Sequence, residues 1–270
     1  MASLRNVARR CAVVAGRPFA HAFAGRPPKK ISAMMRVKNE AEFLEQSIAS
    51  IVDLVDEVVI VDNGSTDGSA AIIERFVVGF PAKIRAFDYP EKLARYGEET
   101  LQLAATKEGR KSPSFLPNYY NWCAAKCRYP YILKWDGDTI ATAAFAPTLE
   151  QFRRSRKQIL WHTGINVYPD RTSYIAGRPH EDMEPRLFFK PFSTYNNYLA
   201  YVETLWSPYL FVYPSFSEHE PEPLYFHMKF CKAHRFSNMS DDLRLKEEEL
   251  SARGDLLPQH LREQVIKLGL

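Results

Sequence analysis

From Ile31 to Tyr89 the sequence alternates two kinds of segment. ISAMMRV (31–37), DEVVIVD (56–62) and AKIRAFDY (82–89) are short apolar runs. Between them, residues 39–55 and 69–79 carry apolar residues at helical spacing, with Phe43, Leu44, Ile48, Ile51 and Val52 on one face of the first. DEVVIVD is apolar at successive positions rather than alternate ones, the mark of a strand covered on both faces. Strand, helix, strand, helix, strand in that order predicts parallel pairing with right-handed crossovers. The expected class is therefore α/β, with a Rossmann-like, mostly parallel central sheet flanked by helices.

Further along, the pattern becomes less regular. Residues 90–117 are rich in charge, Gly and Pro and read as an irregular loop. NYYNWCAAKC (118–127) reads as a helix, YILKWDGD (131–138) as a strand, and the stretch after Asp138 as a turn and a helix. From about 159 onward, strand-like pieces such as QILWHTGINVY and RLFFKP mix with prolines and aromatics. The expected division is a basic tail or amphipathic helix with linker over 1–30, a main domain over 31–240 with halves at 31–145 and 146–240, and a solvated helical tail over 241–270.

Composition narrows the class. With 270 residues, 46% hydrophobic and 25% charged, the chain can bury a sizeable core without a disulfide or metal. A net charge of +4 does not suggest nucleic acid as a partner. Of Cys11, Cys123, Cys127 and Cys231, only Cys123 and Cys127 are close in sequence, and no second pair completes a zinc set. Reduced thiols in a cytoplasmic protein are the expectation. No run reaches the roughly 18–20 apolar residues that cross a bilayer. The first acidic residue is Glu40, after nine Lys and Arg. Leu4, Val7, Ala8, Cys11 and Val14 share one helical face, which suits an interfacial helix over residues 1–24 in peripheral contact with anionic lipid at the inner face of a membrane. A solvated tail, or a helix packed on the domain, is the competing reading.

The feature that carries chemistry is Asp136-Gly137-Asp138, at the end of the apolar run YILKW. Open parallel sheets bind ligands beyond the carboxyl ends of their strands. Asp62 ends the second strand, and Asn39 and Glu40 follow the first, so the acids gather on one edge. Clustered carboxylates repel unless they meet a cation or ligand donors. Asp-x-Asp suits a hard divalent ion, Mn²⁺ or Mg²⁺, that also takes phosphate oxygens. Gly137 between them permits close approach of a ligand.

MMRVKNEAEFLEQSIASIVDLVDEVVIVDNGSTDGS (34–69) closely resembles the opening of family 2 glycosyltransferases, which have the GT-A fold. Their first strand commonly ends in a phrase like RVKNE, and their second in one like VIVDNGSTDGS. Asp136 follows Asp62 by 74 positions, the separation at which that family carries its second acidic signature. The helix bearing Asn121 also resembles the family's, and the likeness covers roughly residues 31–145. It implies a metal-dependent, inverting transfer from a nucleotide-sugar, with UDP favoured, to a glycan or lipid-linked acceptor in surface glycan or glycolipid assembly. Asp62 would bond the base, in a pocket lined by Val37, Asn39 and Glu40. Asp136 would meet the ribose or the metal, and Asp138 the metal that holds the diphosphate. A late histidine often completes such a site, and His227 is the candidate. An acid in the second half serves as the base for the acceptor hydroxyl; Asp182 is favoured, Glu181 is next, and Glu184 is the third choice. Trp161, Tyr168, Tyr174, Trp206 and Tyr209 are candidates for an acceptor platform.

Two other readings compete. A sugar nucleotidyltransferase would carry a Gly-rich basic loop after its first strand, and RVKNEAEF has no glycine. A catalytically inactive carbohydrate-binding scaffold would have no reason to keep Asp62, Asp136 and Asp138.

Overall fold

A computed structural model describes residues 28–175, 184–199, 202–211, 217–234, 239–241, 244–245 and 254–270. Its centre is an eight-stranded sheet. In chain order the first elements are β1 (Ile31–Val37), α1 (Leu44–Ile51), β2 (Glu57–Asp62), α2 (Ser69–Gly79) and β3 (Ile84–Asp88). They are followed by α3 (Glu98–Ala105), α4 (Leu116–Lys126), β4 (Tyr131–Asp136), β5 (Thr139–Ala141), α5 (Phe145–Arg154) and β6 (Ile159–Asn166). The chain continues through β7 (Ser173–Ile175), β8 (Glu184–Phe189), β9 (Thr194–Leu199), β10 (Val202–Trp206), β11 (Ser217–His227), β12 (Gly254–Leu256) and α6 (Gln259–Lys267).

The strand order in the large sheet is β3-β2-β1-β4-β8-β6-β11-β5. β1, β2, β3 and β4 pair in parallel, as the alternating pattern predicts. β8 enters antiparallel between β4 and β6, β11 is parallel to β6, and β5 closes the edge antiparallel to β11. The sheet is thus parallel in one half and mixed in the other.

Alternate residues of β1 and β2 point to opposite layers. Ile31, Ala33, Met35, Val58 and Ile60 pack with α1 and α5, through Leu44, Ile48, Phe145 and Phe152. Met34, Val59 and Val61 pack on the other face with Leu116, Tyr119, Tyr120 and Cys123 of α4. This explains why these strands read as unbroken apolar runs: both faces lose their water.

Three expectations change. The helix expected over 39–55 is regular only from Leu44 to Ile51, because Asn39 adopts a left-handed backbone, φ 56°, and residues 41–43 form a turn. Asparagine tolerates that conformation better than most residues. The segment 90–117 is not wholly irregular, since it contains α3 and a 3-10 turn at Gly109–Lys111. Gly97, at φ 104°, turns the chain into α3, and Glu98 and Glu99 then complement the positive end of the helix dipole. Their charge resembles that of a loop when read along the sequence alone. Finally, the C-terminal segment is not all solvated: Leu261 and Val265 of α6 are buried against Phe43, Ile140, Ile165 and Phe226. Among the described residues no helix is long and apolar enough to cross a membrane.

Candidate active site

A cavity of about 540 Å³ opens beyond the carboxyl ends of β1 and β4, and Arg36, Val37, Glu40, Asn63, Asp136, Asp138, Arg186 and His227 are among its walls. The acids converge there because strand register brings them there. In the β1–β4 ladder, Arg36 lies opposite Asp136. The Arg36 guanidinium pairs with one Asp136 oxygen and Arg186 Nη1 donates to the other at 2.9 Å. Two residues back on β4, Lys134 Nζ donates to Glu184 at 2.6 Å. Period-2 spacing on both strands therefore builds a charge ladder on one face of the sheet. Tyr120 of α4 supports it, with the Arg36 guanidinium 3.8 Å from its ring centroid.

Burial would by itself raise the Asp136 carboxyl, but Arg36, Arg186 and Lys134 overcome it and hold Asp136 below the usual carboxylate range. Asp136 is thus a fixed anion between two guanidiniums, so its expected part in binding a metal competes with two ion pairs already formed.

Asp138 has different company. Met228 N–H donates to the Asp138 carbonyl at 2.9 Å, and β5 pairs with the end of β11 with His227 opposite Thr139. His227 Nε2 therefore stands 3.4 Å from one Asp138 oxygen, although 89 positions separate the two residues. Lys232 follows the 3-10 turn Lys229–Cys231, and its Nζ lies 2.6 Å from the other oxygen. Burial would raise the Asp138 carboxyl; Lys232 and His227 reverse that and hold it well down.

Glu40 is the third acid. Its backbone N–H donates to Ser69 Oγ at 2.9 Å, and Asn39 Oδ1 accepts from the Thr66 N–H at 2.7 Å. The two loops after β1 and β2 are laced together in this way, which turns the Glu40 side chain toward Gly137. A Cβ on Gly137 would lie 2.7 Å from Glu40 Cγ. The glycine expected to admit a ligand thus admits the Glu40 side chain, whose two oxygens each lie 2.9 Å from Lys232 Nζ. Burial first, then Asp138, push the Glu40 carboxyl up to about 8, with Lys232 pulling the other way. Two buried carboxylates share one ammonium, and Glu40 is the one that keeps its proton near neutrality.

Asp62 accepts the Ser65 hydroxyl at 2.6 Å and the Ser65 N–H at 3.1 Å, shaping the NGST turn. Its neighbour Asn63 reaches the cavity and donates to the carbonyls of Tyr89 and Glu91. Asn121 clamps β9 to α4, donating to the Tyr195 carbonyl at 2.9 Å and accepting its N–H at 2.8 Å. Glu181 and Asp182 lie outside the described residues, as does the segment 1–24. Glu184 is engaged by Lys134 and stands 3.5 Å from Arg186 Nε. Of the aromatic candidates, Tyr168 is buried against Phe230, and Trp161 and Tyr209 pack on the core beside α4.

Among the described residues no three His, Cys, Asp or Glu side chains are gathered as a ready metal set. Asp138 and His227 nevertheless fit a Mg²⁺ or Mn²⁺ that draws its remaining ligands from phosphate and water, since such ions often take only one or two protein groups. Lys232 Nζ marks a position where a positive charge is already solvated by carboxylate oxygens. Reasoning from sequence missed Arg36, Lys134, Arg186 and Lys232. A charge inside an apolar strand, as in MMRV and ILKW, was the available signal for the first two.

The fold and the cavity define an α/β protein with a charged ligand cleft at the carboxyl ends of its parallel strands. Residues 32–96, about a quarter of the chain, match the family model described as Glycosyl transferase family 2. A 47-residue stretch is 47% identical to an uncharacterized glycosyltransferase of Rickettsia felis, covering 17% of each chain. Another of 46 residues is 48% identical to one of Rickettsia bellii, covering 17% of this chain and 16% of that protein. The chain thus spans about a sixth of the length of these curated relatives. Among solved structures, glucosyl-3-phosphoglycerate synthase from Mycobacterium tuberculosis, in complex with Mn²⁺, uridine diphosphate and glucosyl-3-phosphoglycerate, overlaps 52% of this chain and 44% of its own at 20% identity and a TM-score of 0.30.

Proposed function

We propose that this chain transfers a sugar from a nucleotide-sugar, with UDP as the favoured nucleotide, to an acceptor hydroxyl with inversion, in assembly of a surface glycan or glycolipid. The observation that carries this reading is the cavity at the strand ends, where the family 2 segment and Asp136-Gly137-Asp138 meet. Val37, Asn39, Glu40 and Asp62 would form the nucleotide side, with Asn63 rather than Asp62 reaching into the cavity as it stands. Asp136, fixed by Arg36 and Arg186, would present a rigid anion to ribose hydroxyls. Asp138 and His227 would hold the divalent cation, which when bound supplies charge neutralisation for a diphosphate leaving group.

The chain's own contribution is electrostatic preorganisation. Arg36, Lys134, Arg186 and Lys229 border the cavity and sit within reach of a polyanionic donor. The ion pairs of Arg36, Lys134 and Arg186 hold these three in place before a ligand arrives, so little reorganisation is needed at the moment of bond cleavage. The acceptor proton would pass to Asp182, with Glu181 as the alternative. A stabilisation screen with UDP-, GDP-, CMP- and dTDP-sugars, each with and without Mn²⁺, tests the reading. A ligand that binds only the folded chain raises its melting temperature. One nucleotide class should stand out and depend on Mn²⁺; no response from any of them would refute the proposal.

A further inference from the structure

The carboxylates at the strand ends differ in what neutralises them. Asp136 has two guanidiniums of its own, whereas Asp138 and Glu40 share one ammonium. The three side chains of that second cluster are nearly closed to solvent, at 4% for Asp138, 13% for Glu40 and 15% for Lys232. Lys232 Nζ has one Asp138 oxygen at 2.6 Å and both Glu40 oxygens at 2.9 Å. His227 flanks the remaining Asp138 oxygen. Carboxylate oxygens around a single positive centre are also the ligands a hard divalent cation selects.

Backbone features elsewhere hold this arrangement. Asn39 spends a left-handed conformation to turn Glu40 inward, Ser69 holds the Glu40 amide, and Gly137 leaves the space that Glu40 fills. Lys232 lies 192 positions from Glu40, so only the completed fold brings it in.

We propose that Lys232 is the resident counter-cation of this site, and that a divalent metal enters only by displacing its ammonium from Asp138 and Glu40. The proposal rests on the reading that Asp138 and His227 receive the metal of a nucleotide-sugar transferase. The buried Asp138 carboxylate left without a cation is costly, and the Glu40 oxygens beside it add to the demand for a positive centre. The lysine fills that need in the free protein, and a metal competes with it for the same oxygens. Apparent metal affinity is then reduced by the cost of moving the lysine. A diphosphate lowers that cost, because the released ammonium gains phosphate oxygens as partners. Metal and nucleotide should therefore bind cooperatively, with Lys232 as the coupling element.

The test is a Mn²⁺ titration of the full chain without nucleotide, read by the loss of free-Mn²⁺ electron paramagnetic resonance signal. Lys232→Met should bind Mn²⁺ at least tenfold more tightly than the unaltered protein. Lys232→Arg, which keeps the charge, should bind no more tightly than the unaltered protein. Lys232→Gln keeps a polar side chain of similar reach and carries the same expectation as the methionine variant, should the latter fold poorly. In addition, Mn²⁺ alone should raise the melting temperature of the neutral variants more than that of the unaltered protein. Affinity that is unchanged or weaker in the neutral variants would overturn the proposal. Failure of the nucleotide-sugar reading is distinguishable, because no sugar nucleotide would then stabilise any of the proteins while the Mn²⁺ difference persisted.

Discussion

Glu40→Gln isolates the cost of ionising a carboxyl that is buried beside Asp138. Burial and Asp138 lift the Glu40 carboxyl from an ordinary 4.5 to about 8. Its folded value is therefore above its unfolded one, so the folded state holds the extra proton between those limits. Stability associated with that proton is fully present below about pH 4.5 and is lost as pH rises through about 8. At roughly 1.4 kcal/mol per tenfold change, the full span corresponds to about 4–5 kcal/mol. Residual structure in the unfolded chain and relaxation of Lys232 reduce the amount that is measured, and about 2 kcal/mol is a reasonable floor. Glutamine keeps the shape and one acceptor but cannot ionise. Urea unfolding of both proteins at pH 5, 7 and 9, followed by circular dichroism, reads the difference directly, since all other groups titrate in common. Glu40→Gln should gain on the unaltered protein by at least about 2 kcal/mol between pH 5 and 9. A stability difference independent of pH would show that Glu40 ionises freely and that burial and Asp138 do not hold its proton.

Other outcomes follow from the same geometry. Arg186→Met removes one of the two guanidiniums on Asp136 and should cost about 3 kcal/mol, seen as a melting temperature lower by roughly 6–10 °C; an unchanged melting temperature would mean that Arg36 suffices. Asn121→Ala cuts both hydrogen bonds to Tyr195 and should destabilise by about 1–3 kcal/mol, with faster amide exchange in β9. Asp138→Ala should lower Mn²⁺-dependent sugar transfer by about 10²–10³-fold while circular dichroism keeps its folded form; near-full turnover would exclude Asp138 as the metal residue. Asp182→Asn should abolish transfer but leave nucleotide binding intact in the stabilisation screen, and lost binding would assign that residue to structure instead.

Much of the parallel half of the molecule was legible before folding. The bounds of β1 and α2 coincide with the apolar run 31–37 and the periodic run 69–79, because local periodicity and burial on two faces leave a direct trace in residue order. α3 was not legible, since its exposed, charged face resembles a loop when neighbours are unknown. The helical character of α6 was legible but its burial was not, because Leu261 and Val265 find their partners in β5, β6 and β11.

The candidate site divides in the same way. The residues of its acidic edge, Asp62, Asp136, Asp138 and Glu40, were determined by the sequence, because each stands at or just beyond the end of an apolar run. Their charge states were decided only by the tertiary structure. Arg36 meets Asp136 across 100 positions, Arg186 meets it across 50, and Lys232 meets Glu40 across 192. Ion pairing depends on distance in space and on exclusion of water, and neither quantity is written in a local pattern of residues. The sequence therefore showed where negative charge would gather, and the fold decided which cations answer it.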